Sequence, residues 1–223
     1  MTRYLLTNAE HETWRGSRVS LGRSVISSKS EDSVIDRNTE ELGDSPLVAV
    51  MLNPWHAQID HQKMLELEIG EIEAIHDNRC IYMTVRETGV PSVTTDQKIV
   101  FALMALQEVY QNPVFNEWAD GWISGSDRSA ESAGKMFAHL GKIAGESTDD
   151  SGIANIGDFC SRASEAIFAA QMYMDRSENW PLLASRSVSR AAGGLHHRAD
   201  LVAIAERAIA SSAKGAMRSR SAA

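Results

Sequence analysis

The stretch that most limits the fold of this chain runs Phe115-Asn116-Glu117-Trp118-Ala119-Asp120-Gly121-Trp122-Ile123-Ser124-Gly125-Ser126-Asp127-Arg128-Ser129. Trp118 and Trp122 stand four residues apart and so share one face of a helix. The Gly-Ser-Asp-Arg-Ser break ends that helix, and an alanine-rich stretch follows it. Apolar faces separated by such breaks pack helix on helix.

The same pattern holds from Thr94 to Ala213. Thr94-Thr95-Asp96-Gln97 supplies caps before Ile99, Val100, Leu103, Leu106 and Val109, an apolar stripe at helical spacing. Asn112-Pro113 ends that helix and starts a second over 114–124. Ser126 or Asp127 caps a third over 128–144, with Ala130, Ala133, Phe137, Leu140 and Ile143 on one side. A fourth spans 151–175, a fifth runs from Trp180-Pro181 to Gly193-Gly194, and a sixth covers 195–213. Residues 214–223, small and basic, are expected to fray. This predicts an antiparallel bundle in which alanines let axes approach toward about 8 Å. Phe115, Trp118, Trp122, Phe137 and Phe168 are expected to fill its wider gaps.

Residues 1–93 read as a small mixed α/β region. Val19, Leu21 and Val25 suggest an extended piece, and 27–46 is polar enough for a loop. The continuous apolar run 47–52, stopped by Asn53-Pro54, predicts a buried strand. In 58–76, Leu65, Leu67 and Ile69 alternate with Glu66 and Glu68, which is strand-like. Leu65, Ile69, Ile72 and Ile75 equally fit a helix, and periodicity does not decide between the two. Residues 80–85 predict a strand. The whole is mainly α, or α+β, with the bundle as its larger part.

Charge narrows the partners. The 223 residues carry a formal net charge of −8, which argues against a broad cationic face for duplex nucleic acid. Residues 1–93 hold nine basic and fifteen acidic side chains, whereas 180–223 hold seven basic against two acidic. Cys80 and Cys160 have no metal-type spacing and read as free thiols of a reducing cytoplasm. The N-terminus turns polar after Leu5-Leu6, unlike a signal peptide, and no apolar run reaches the ~20 residues of a membrane span. A cytoplasmic protein without membrane contact is expected.

The segment Trp118-Ala119-Asp120-Gly121-Trp122-Ile123-Ser124-Gly125-Ser126-Asp127-Arg128-Ser129, with the helices around it, resembles alanine-rich helical proteins of bacteria and phages. Some of these are predicted to be immunity proteins of polymorphic toxin systems. The likeness covers 94–213 and implies a helical, non-catalytic binding role with no catalytic residue to carry over.

Five groups are candidates for chemistry. Trp118 and Trp122 fit a stacking surface or the bundle core. Arg128 fits a ligand contact or an ion pair with Asp120 or Glu131. Glu66, Glu68, Glu71 and Glu73 fit a solvated strand face or a docking face for a basic partner. His56, Asp60, His61 and His76 are the residues from which a metal site would be drawn, although they match no established ligand motif. Arg186, Arg190 and Arg198 suit phosphate contact or the ordinary preference of helix C-termini for cations. Nucleophile elbows, P-loops and dinucleotide fingerprints are missing from the sequence.

The leading expectation is a non-enzymatic cytoplasmic binding protein without a cofactor. It would occlude or sequester a protein partner with a basic surface, as an immunity or counter-defence protein does. Nucleic acid would enter only through the basic tail, and a homodimer is compatible. A metal-dependent hydrolase built on His56, Asp60 and His61, and a self-assembling phage structural protein, are the alternatives.

Overall fold

The computed structural model describes the backbone of residues 2–27, 42–75, 78–146 and 154–221, and the side chains of 2–23, 42–70, 84–145 and 156–211. The described chain is mainly helical, with one small antiparallel sheet and a C-terminal helical bundle. It divides into two compact units, Met1–Ser92 and Val93–Ala223.

The first unit is a four-stranded sheet: β1 (Thr2–Thr7), β2 (Gly22–Ser27), β3 (Lys63–Ile75) and β4 (Asn78–Thr88), in the order β1-β3-β4-β2. Every neighbouring pair is antiparallel. Leu5 faces Leu65, and Leu67 faces Val85. These four bury together with Val19, and Leu42 packs on the edge of the cluster. β1 had no alternation to betray it, because Leu5, Leu6 and Thr7 are buried in succession. The extended piece expected near 19–25 lies at Gly22–Ser27, with Val19 buried ahead of it.

The apolar run 47–52 is a helix, α1 (Pro46–Leu52), rather than the expected strand. The Ser45 hydroxyl accepts a hydrogen bond from the Val48 N–H at 3.2 Å, and Pro46 sits in the first turn, where its missing N–H costs nothing. Residues Val48 to Leu52 are all buried. An element buried on every side shows no period, so strand and helix look alike in the sequence. Gly43 exchanges both backbone hydrogen bonds with Tyr4, and a Cβ there would run into the backbone nitrogen of Ala49.

The ambiguous 58–76 segment is a strand from Lys63 onward. Its register against β4 slips between Ile69, opposite Met83, and Ile72, opposite Ile81. Three residues on β3 thus span two on β4, the signature of a bulge. This extra residue stretches the apolar spacing from two to three between Ile69 and Ile72, where the alternation of 65, 67 and 69 breaks off. Most of the polar loop expected over 27–46 lies outside the described residues.

The second unit holds six helices among the described residues: α2 (Thr95–Val109), α3 (Pro113–Ser124), α4 (Ala130–Glu146), α5 (Ala154–Asp175), α6 (Trp180–Ala192) and α7 (Leu201–Ser221). α2 is the hub and packs against α3, α5, α6 and α7. Thr94 and Gln97 close a capping box at its start. Eight of its residues, from Lys98 to Leu106, are buried, and each buried Leu, Ile or Phe contributes about 1.5–3 kcal/mol. α5 and α6 pack against each other, and Ala163, Ala166 and Ala170 on the one and Ala184, Ala191 and Ala192 on the other are buried.

Details depart from expectation. The cap of α4 is the Ser129 hydroxyl, which accepts from the Ser132 N–H at 3.1 Å, while Asp127 accepts from the Ser129 N–H at 3.0 Å. The expected sixth helix over 195–213 is split. Leu195–His197 makes a single 3-10 turn, then Asp200 caps α7 by accepting from the Val202 and Ala203 N–H groups at 3.1 Å. α7 runs on to Ser221. Phe115 and Trp122 fill the core as expected, but Phe137 and Phe168 are 48% and 37% exposed. Met136, not Phe137, turns inward beside Ala133 and Leu140.

Candidate functional site

α3 begins at Asn112, whose side chain accepts from the Phe115 N–H at 3.0 Å, and ends at Gly125. Gly125 has φ of 77°, a left-handed conformation that glycine adopts at no steric cost and that halts the helix. Five residues later α4 starts on a different heading, and the two helices touch only sparsely. The space between them is an open groove of about 960 Å³.

Val114, Glu117, Trp118 and Gly121 face the groove from α3, at i, i+3, i+4 and i+7. Ser132, Lys135, Met136 and His139 face it from α4, and Asp127 and Ser129 close the end at the turn. Four carboxylates, on Glu117, Asp120, Asp127 and Glu131, stand against one ammonium, on Lys135. The Ser129 N–H, with the Ser129 and Ser132 hydroxyls, holds the Asp127 carboxyl below the usual range, and the Lys135 ammonium does the same for Glu131. Both therefore stay ionised at neutral pH. Asp120 accepts from Gln107 Nε2 at 2.9 Å. The groove is anionic, half-aromatic at Trp118 and edged with hydroxyls.

The neighbouring tryptophan has another setting. Trp122 is 1% exposed, and the Arg128 guanidinium lies over its ring at 4.1 Å. Arg128 donates to Asp96 Oδ1 at 2.8 Å and to the Trp122 carbonyl at 2.8 Å, and Tyr173 flanks the stack. Trp122 and Arg128 were expected as partner-binding residues. In the structure Arg128 stacks on Trp122 and binds Asp96, contacts that tie α2, α3 and the start of α4 together. Arg128 pairs with neither Asp120 nor Glu131, because stacking on Trp122 turns it toward α2. Both indole N–H groups, of Trp118 and Trp122, are buried without a hydrogen-bond partner.

The other candidates are dispersed. Glu66 is tied across the sheet to Arg86, with which it is in register, and Glu68 is exposed. The side chains of Glu71 and Glu73 lie outside the described residues, as does His76. Among the described residues no three His, Cys, Asp or Glu side chains gather as a metal set, so His56, Asp60 and His61 are not assembled into one. Arg190 donates to Glu165 at 3.2 Å, and Arg198 to Asp158 at 3.4 Å and the Tyr110 hydroxyl at 3.2 Å. Among the described residues, Arg186 of that basic set stands exposed without an ion pair. Arg162 joins the same network, donating to Asp158 at 2.7 Å and to the Gly193 carbonyl at 2.6 Å, which satisfies the end of α6. Burial pushes the Asp158 carboxyl up, but the Tyr110 hydroxyl and Arg162 outweigh it and hold it low. Burial also pushes the Cys160 thiol up, away from nucleophilic character.

Sequence reasoning found Trp118 but not the groove. It took Asp120 and Glu131 only as possible partners of Arg128 and passed over Glu117. The available signal was the acidic bias on both sides of one glycine break. No protein-family model, curated protein or solved structure matches the chain. No helix among the described residues is long and apolar enough to cross a membrane.

Proposed function

We propose that this is a non-enzymatic cytoplasmic binding protein that occludes or sequesters a macromolecular partner through a basic segment of that partner. The α3–α4 groove carries this reading: about 960 Å³ of open space lined by four carboxylates, one ammonium and an aromatic ring. A volume of that order holds several side chains of a peptide segment. An excess of fixed negative charge speeds encounter with a basic partner and makes the complex weaken as salt rises. Occlusion of the kind performed by immunity or counter-defence proteins requires nothing more than such a surface.

The test is affinity capture at low and high salt with the native protein and with a Glu117→Lys/Glu131→Lys variant. A stoichiometric partner held by the native protein at low salt, released at high salt and missed by the variant is the expected result. A partner retained equally by the variant places recognition elsewhere and rejects the groove.

A further inference from the structure

Trp118 and Trp122 are consecutive turns of one helix, and the chain itself shows what one of them binds. Over Trp122 lies a guanidinium, Arg128, whose outer nitrogen meets a carboxylate, Asp96, at 2.8 Å. Trp118 sits in the same chemical company. Glu117 and Asp120 flank it on α3, and Glu131 lines the other side of the groove. Yet no cation stands over its ring among the described residues: the arginines found on aromatic faces lie on Trp14, Trp122 and Tyr173. Among the described residues its ring contact is with Phe115, at 5.9 Å between centroids. Lys135, the one cation of the groove lining, is held at 2.7 Å by Glu131.

From this we infer that the groove is selective for arginine: a guanidinium of the partner's basic segment takes over Trp118 the place that Arg128 takes over Trp122. The inference rests on the basic-partner reading above and narrows it. Arginine suits the site better than lysine for two physical reasons. Its planar, weakly hydrated cation stacks on an indole face, and its fork of donors reaches a carboxylate from that stacked position. A lysine ammonium is a hydrated point charge that would feel the carboxylates but gain little from the ring. Charge complementarity selects the basic occupant, and the aromatic face selects among basic occupants.

The experiment is isothermal titration of the full chain with three peptides: tetra-arginine, tetra-lysine and tetra-citrulline. Citrulline keeps arginine's shape without its charge. Tetra-arginine is expected to bind roughly threefold to tenfold more tightly than tetra-lysine, with tetra-citrulline weakest. Trp118→Leu should erase the difference between the two cationic peptides, whereas Trp118→Phe keeps part of it. Glu117→Gln should weaken both cationic peptides together, and its exposed position leaves folding intact. Equal affinity for the two cationic peptides, weakened by Glu117→Gln, would overturn the arginine inference while leaving a basic partner in place. No binding of either peptide would overturn both.

Discussion

Trp118 and Trp122 differ by one helical turn, and they divide between them the two uses of an indole. Trp122 is enclosed, with Arg128 over its face and Asp96 beyond, so its stacking energy is spent on holding α2, α3 and α4 together. Trp118 looks across a groove toward α4, with carboxylates around it and, among the described residues, no cation over its ring. The difference arises from the Gly125 break. It sends the chain back so that Arg128 reaches the second tryptophan, and it splays α4 away from the first. Residue type alone therefore does not separate core from site; the position of the break does.

The comparison predicts opposite responses to substitution. Trp122→Ala should cost about 3–5 kcal/mol in urea unfolding, the range for a buried aromatic. A loss under 1 kcal/mol would mean that the enclosed indole is not a structural anchor.

Lys98 lies two residues along α2 from Asp96 and is a cation set by burial. It is 0% exposed, and desolvation pushes its amine down to about 7. The unfolded chain keeps that proton up to about pH 10.4. Between about pH 7 and 10.4 the unfolded state thus binds more protons, so stability rises with pH across that window. Below about 7 both states are protonated, and this slope vanishes. The scale is about 1.4 kcal/mol per unit of separation between the two pKa values. Lys98→Met should flatten the rise relative to native protein in urea titrations from pH 7 to 10; parallel curves would refute it.

Arg128→Met, which empties the Trp122 face and leaves Asp96 without this partner, should cost about 1–3 kcal/mol. Asp96→Asn should cost less, because the stack survives. Equal losses would show that the ion pair, not the stacking, carries the contact.

These elements were unevenly legible in the sequence. Helices α2, α3 and α6 announced themselves through the Thr94–Gln97 box, Pro113 and Pro181, which act within a few residues. α1 did not, since burial of every residue from Val48 to Leu52 erases its period. β3 read two ways because a bulge at 69–72 changes the spacing partway along. The partner of Arg128 was misjudged because Asp96 lies 32 residues back, farther than local spacing reaches. The groove was hidden for a similar reason. Its lining is local in sequence, but its existence depends on how far two helices splay.

The smallest stability effects belong to the groove. Trp118→Leu should cost less in unfolding than Trp122→Ala, and Glu117→Gln no more than about 0.5 kcal/mol, as befits half-buried and exposed positions. A loss of several kcal/mol at Trp118 would make it a second anchor and remove the distinction on which the binding reading rests.

The most direct measurement follows both indole N–H signals by nuclear magnetic resonance while tetra-arginine is added to the full chain. The account predicts that the Trp118 signal moves with added peptide and saturates, while the Trp122 signal stays, its face already filled by Arg128. Movement of neither signal, or of both together, would contradict it.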